Sequence, residues 1–488
     1  MNLSLASYRA RIVIEPIACA ASPAELLDLL AEQRDSILLE SSASHSQFGR
    51  HSVIACCPIE VLTLENGILR DSSSNVLSRD DAGLWSALRD AFGCVRLDEA
   101  RPQPYLPGWF GYIGYEVGRH IEHLPSAAKR DTALPDLRLA FYDAIAVYDH
   151  LRSLWTLIRL EFDAPPAGAG QSESALRRAL AIMAGGIPDT QHRIPDTGRP
   201  DTAISNFTPQ QYKAAVRKAI DYIAAGDIFQ VNLSQRFTIP DSPPPLELYR
   251  ALRRRNPAWY AAFLSFAVDG RPCGIISSSP ELFLRVRDGH VITRPIKGTR
   301  RRTGQADSDA AAQNDLLSSP KDNAELAMII DLLRNDLGRV CRYGSVKVTA
   351  ARELETHPTV FHLVGTVEGQ LADGICEVFE RGPAELLRAT FPGGSITGAP
   401  KIRAMEIIDE LEGVARGVYT GCIGTVGVDG SCEWNIAIRT IVYDNGISYV
   451  QAGGGIVADS DEQAEYDETL DKARALLEAI EQAQAAKE

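Results

Sequence analysis

The spacing of apolar residues changes along the chain and divides it. Up to about residue 160, short apolar runs alternate with turns, as at 35–41 and 144–148, a pattern that predicts strands. The run Trp109-Phe110-Gly111-Tyr112-Ile113-Gly114-Tyr115 mixes aromatics with glycines, which suits a strand approached closely by another backbone or a ligand. Two turn-rich stretches, 163–170 and 185–200, flank one short helical run from Glu173 to Met183. These shifts place a first domain at 1–162, a linker at 163–205 and a second domain at 206–488. In the second, Thr208-Pro209-Gln210-Gln211 is a helix cap followed by a helical period, and 230–234, 262–266 and 274–278 read as strands. Ser319-Pro320-Lys321-Asp322 opens a helix to about Leu337, with Glu325 on its apolar stripe beside Ile329 and Leu332. Residues 436–441 read as one apolar strand carrying Arg439, and 451–457 as a strand interrupted by Gly453, Gly454 and Gly455. Ser460 and Asp461 then cap a final helix with Glu465 and Glu468 on one face and Lys472 four residues further on.

Composition narrows the function. A chain of 488 residues, 45% hydrophobic and 23% charged, is an ordinary globular protein with room for a large core. Its net charge of -14 argues against nucleic acid or an anionic membrane as main partner, so an anionic substrate needs locally concentrated positive charge. The nine cysteines show no CxxC pair, which suits reduced thiols in a cytoplasmic protein, and no run approaches the length of a membrane span.

The candidate chemistry centres on Arg294-Pro295-Ile296-Lys297-Gly298-Thr299-Arg300. Neighbouring cations and partial burial disfavour an ammonium, so Lys297 between Arg294 and Arg300 is a candidate nucleophile. Read alone, the heptapeptide is first of all a basic hairpin tip that binds an anion. The loop Phe391-Pro392-Gly393-Gly394-Ser395-Ile396-Thr397-Gly398-Ala399-Pro400-Lys401 before a helix offers backbone amides and hydroxyls to an anion. Glu325, Glu465 and Glu468 are oxygen ligands suited to Mg²⁺, or Glu468 and Lys472 form a plain surface pair.

Together, Ser279-Pro280-Glu281, the Lys297 heptapeptide, Lys321-Asp-x-x-Glu325, Asp331-Leu-x-Arg-Asn-Asp336, the 391–401 loop, Ala452-Gly-Gly-Gly-Ile-Val457 and Glu465-x-x-Glu468-Thr resemble the chorismate-utilising enzymes. The resemblance covers nearly the whole chain. It implies an α+β fold, a four-layer α/β/β/α sandwich of two orthogonally packed antiparallel sheets, to which residues 1–162 contribute strands. Within that family, Lys297 is similar to the aminodeoxychorismate synthase component I branch, whereas anthranilate synthases carry alanine there. The resemblance implies Lys297 as nucleophile and Glu281 as general acid. It implies Gly298, Thr299, His362 and Thr397 around the ring, and Tyr419, Arg439, Gly453, Gly455 and Lys472 on the enolpyruvyl carboxylate. Mg²⁺ is expected on Glu325, Glu465 and Glu468, and a separate glutamine amidotransferase subunit is expected to supply ammonia, since no cysteine here sits in a glutaminase-like setting. His362, alone on an apolar run, also reads as a satisfied core group. Anthranilate synthase component I and a non-catalytic chorismate- or tryptophan-binding scaffold are the rival functions, and 38–41 resembles a tryptophan-pocket motif of relatives.

Overall fold

The computed structural model describes residues 7–42, 48–99, 103–185, 203–357, 360–373 and 382–485. Two large, mostly antiparallel sheets form the centre, one of 13 strands and one of 12, with helices packed against both. This is the α+β class expected from the sequence. Both sheets draw strands from both halves of the chain. Ser36–Glu40 lies beside Tyr260–Val268, pairing Leu39 with Ala262, and Gly108–Ile113 lies beside Cys422–Gly427, pairing Phe110 with Thr425. The sequence between the halves holds the helix Gln171–Ala184, and the expected linker residues 186–202 lie outside the described residues.

Local signals form as read. Thr208 caps Pro209–Ala224 in a capping box with Gln211, and Ser319 caps Pro320–Gly338 by accepting from the Asp322 amide. That second helix buries Leu326, Ile329, Ile330, Leu333 and Leu337, which leaves Glu325 at the edge of its apolar face. Gly111 serves close backbone approach, because a side chain there would start 2.0 Å from the Arg138 carbonyl oxygen.

Three readings change. The heptapeptide around Lys297 is neither a hairpin tip nor a turn. His290–Arg294 and Ile296–Arg301 run successively along the same strand, Val360–Gln370, with Pro295 between them where a strand N–H is dispensable. Residues 436–441 are not one strand. Cys432–Ile436 belongs to the 12-stranded sheet and Thr440–Asp444 to the other, and the chain crosses between them with Arg439 in the left-handed region at φ 52°. Finally, the three glycines do not interrupt their strand: Ile447–Ile456 pairs continuously with Gln230–Ile239, through Gly453–Ser234, Gly454–Leu233 and Gly455–Asn232.

Candidate active site

Lys297 is aimed by a bulge. Its partner across the ladder is Leu363, but Thr299 pairs with His362, so Gly298 is an extra residue in its strand. Gly298 has φ 77°, and a side chain there would begin 2.7 Å from Leu316 Cδ1 and 2.9 Å from Asp322 Cγ. Only glycine combines that dihedral with that packing. The Lys297 amine then lies 3.7 Å from Glu325 Oε2, and 3.3 Å from the point where a side chain on Gly455 would start.

The flanking arginines do not act on Lys297 as expected. Arg294 is buried, ion-paired to Glu353 at 2.9 Å and Glu355 at 2.5 Å, and lies over the Phe48 ring. Arg300 pairs with Asp315 at 2.5 Å and Asp322 at 3.0 Å. Carboxylates balance both guanidiniums, and the charges facing Lys297 are Glu325, Glu281 and Glu468. Sequence neighbours were mistaken for spatial ones because strand geometry and the bulge send these side chains to different partners.

Glu281 is the buried acid of the site. Ser395 Oγ donates to its Oε1 at 2.6 Å, and the Ile296 amide donates as well. Burial nevertheless raises its pKa from an ordinary 4.5 to about 7, against the opposing influence of Ser395, Lys297, Ile296 and Lys472. A carboxyl poised there can carry a proton at neutral pH.

The glycine run keeps the floor bare. A side chain at Gly455 would start 2.1 Å from Gln230 Nε2, one at Gly454 3.0 Å from Glu465 Oε2, and one at Gly453 2.5 Å from the Leu233 carbonyl oxygen. The glycines thus admit two carboxylates, a carboxamide and the Lys297 amine against the strand.

Arg439 lies near both Tyr419 and His362. Arg439 has no carboxylate within ion-pair distance among the described residues; its Nη1 donates to the Lys472 carbonyl at 3.1 Å. Burial lowers its pKa, with Tyr419 and Glu468 the charges that oppose this. A desolvated guanidinium without a counter-ion favours an anionic ligand. Burial holds the Tyr419 phenol well above its usual value. His362 is buried, bonds Thr299 Oγ1 at 3.0 Å, and is pushed by burial, His357 and Arg439 down to about 3, so it is neutral. Lys472 does two things at once, pairing with Glu468 at 2.5 Å and donating to the Gly453 carbonyl at 2.9 Å. Thr397 is fully buried and its hydroxyl donates back to Gly393 O at 3.0 Å, a bond that ties the loop together.

The three candidate metal carboxylates each face a lysine. Glu325 faces Lys297, Glu465 accepts from Lys321 at 3.3 Å and from Ser460 at 2.7 Å, and Glu468 pairs with Lys472. Burial raises the pKa of Glu325. Burial also works against the Glu468 anion, but Lys472, Lys321 and Lys297 outweigh it and bring that pKa down. No three acidic, histidine or cysteine side chains among the described residues stand at metal-holding distance. In kind they fit a hard cation: the donors are carboxylate oxygens, and Glu465 Oε2 is buried with no hydrogen-bond partner. Residues that sequence reasoning did not single out are Ser395, which was visible only as part of a loop, Lys321, and Gln230, whose buried Oε1 has no partner.

A buried acid near neutrality, a lysine amine and an arginine without a carboxylate partner, beside a tyrosine, suit an anionic ligand. A family profile described as chorismate binding enzyme matches residues 40–478. The chain belongs to the chorismate-binding enzyme family. It is 38% identical over 482 residues to the anthranilate synthase component 1 of Cereibacter sphaeroides, covering 95% of this chain and 92% of that one. It is 37% identical over 455 residues to the aminodeoxychorismate synthase component 1 of Klebsiella aerogenes, covering 93% and 94%. The crystal structure of anthranilate synthase component I from Streptococcus pneumoniae superposes with a TM-score of 0.73 at 33% identity, covering 89% of this chain and 93% of that one. The chain is thus a chorismate-utilising enzyme.

Proposed function

We propose that the chain is the synthase component of an aminodeoxychorismate synthase, converting chorismate and ammonia to 4-amino-4-deoxychorismate. The observation that carries this reading is the Lys297 amine on the site floor, within the electrostatic reach of Glu281. The enolpyruvyl carboxylate binds Arg439 and Tyr419, with the Lys472 and Gly453 surroundings fixing that end. The Lys297 amine attacks C2 of the ring; its lone pair forms the C2–N bond, the two conjugated ring double bonds shift toward C4, and the C4–O bond breaks. Glu281 gives its proton to the departing hydroxyl, which leaves as water. Ammonia then attacks C4, both ring double bonds shift back, and the C2–N bond breaks to return the lysine amine. The surplus proton on the new amine goes to the Glu281 carboxylate, and the enolpyruvyl arm is retained. Glu325, Glu465 and Glu468 would hold Mg²⁺, which when bound neutralises the ring carboxylate. Ammonia would come from a separate glutamine amidotransferase, a reading supported by the component 1 names of both relatives.

The alternative is anthranilate synthase, favoured by the name and coverage of the Cereibacter sphaeroides relative. Incubating the protein with chorismate, Mg²⁺ and ammonium and measuring anthranilate fluorescence decides between the two. Absence of that fluorescence with consumption of chorismate is expected; strong fluorescence overturns the assignment.

A further inference from the structure

We infer that Arg416 is a positioning residue that acts on Glu281 through the Ser395 loop. Arg416 touches no part of the cleft floor. It is buried, at 4% exposure, and its guanidinium joins three separate segments that carry the site. Nη1 donates to the Ile396 carbonyl at 2.9 Å, one residue beyond Ser395, and to Thr420 Oγ1 at 3.2 Å. Nη2 donates to the Asn232 carbonyl at 2.8 Å, on the residue that pairs with Gly455. The planar group lies over the rings of Tyr115 and Tyr419, with centroids at 4.8 and 5.7 Å.

Its charge is met by Glu412 in a fork, Nε to Oε2 at 2.9 Å and Nη2 to Oε1 at 2.7 Å. Glu412 in turn accepts from the Ser234 amide at 2.8 Å and hydroxyl at 2.7 Å, on the strand facing the glycine run. Every side of this ion pair is therefore committed to an element that carries a site residue. The loop's other ties lie on either side of Ile396: Thr397 bonds back to Gly393, its carbonyl accepts from the Asn232 amide at 2.7 Å, and Gly398–Ala399 pairs with Gln230–Val231, so Arg416 is what holds the Ile396 carbonyl beside Ser395. Removing the Arg416–Ile396 bond frees the loop at the residue next to Ser395, whose hydroxyl orients Glu281. Only a planar fork reaches all these acceptors at once, which an ammonium cannot do.

The role rests on the general-acid reading of Glu281, and the test separates the two. Chorismate consumption at saturating ammonium is measured for the wild type, Arg416→Lys, Ser395→Ala and the double variant, whatever product forms. Arg416→Lys is expected to lower kcat about 10-fold or more with KM within about threefold. On the Ser395→Ala background the same change costs less than about twofold, because the link it supports is already cut. Losses that multiply in the double variant, an effect confined to KM, or an unchanged kcat each overturn the inference. If Arg416→Lys fails to fold, the charge-free pair Arg416→Met with Glu412→Met is used, since removing both buried charges is tolerated better than removing one. It is expected to fold with depressed kcat that is insensitive to Ser395→Ala; a folded pair with wild-type kcat contradicts the proposal. Failure of the acid reading is visible separately, as a Glu281→Gln variant that consumes chorismate at the wild-type rate.

Discussion

Replacing Glu281 with glutamine separates the cost of a buried charge from the chemistry of the acid. Burial moves this carboxyl from an ordinary 4.5 to about 7 in the folded chain. At about 1.4 kcal/mol per tenfold change in proton affinity, ionising it destabilises the fold by about 3 kcal/mol. Because the folded value lies above the unfolded one, the stability contributed by the protonated group is complete below pH 4.5 and is lost as pH rises through about 7. Glutamine has nearly the same volume and keeps an oxygen to accept from Ser395, but it does not ionise. The unfolding free energy of wild type minus that of Glu281→Gln should therefore fall by up to about 1.4 kcal/mol per pH unit across this window. Above it, the difference levels at about 3 kcal/mol in favour of the variant. Equilibrium denaturant unfolding at a series of pH values reads this directly, because titrating groups that do not interact with Glu281 cancel in the difference. The same variant should lose about 100-fold or more in chorismate turnover. Parallel stability curves would refute the buried, proton-holding environment assigned to Glu281, and undiminished turnover would refute its role as acid.

Lys297→Ala should leave the chain folded and lower aminodeoxychorismate formation about 100-fold or more with added ammonium; a wild-type rate would dismiss the covalent route. Gly455→Ala and Gly453→Ala should behave differently although they are two residues apart. The first crowds the movable Gln230 amide and Lys297, so turnover should fall about 10-fold or more with little change in unfolding midpoint. The second meets the Leu233 backbone, so it should destabilise by about 1–3 kcal/mol in a denaturant titration. Gly298→Ala should cost at least about 1 kcal/mol of stability, from its φ of 77° and the nearness of Leu316 and Asp322, and turnover should fall with it as the bulge shifts Lys297.

Helix starts and several strands were legible in the sequence because they depend on local spacing, a proline after a Thr or Ser cap, an apolar period of two or of 3.6, whereas the fold class came from the family resemblance. Of the candidate site residues, Glu281, Lys297 and the glycines stood in motifs, while Tyr419 and the binding role of Arg439 came only from the family resemblance. What joins them was not legible. The bulge at Gly298 depends on which strand lies alongside, and the balancing of Arg294 and Arg300 depends on carboxylates 15 to 61 residues away in sequence. Arg439 looked like part of a strand because its neighbours are apolar on both sides, yet it marks the crossing between sheets. Ser395 was one polar residue among several in its loop, and nothing in the sequence says that it faces Glu281 from 114 residues away.

The most direct test is mass spectrometric identification of the product made by the intact protein from chorismate, Mg²⁺ and ammonium. The account predicts chorismate with its C4 hydroxyl replaced by an amine and the enolpyruvyl arm intact. Anthranilate, with that arm lost as pyruvate, would contradict it.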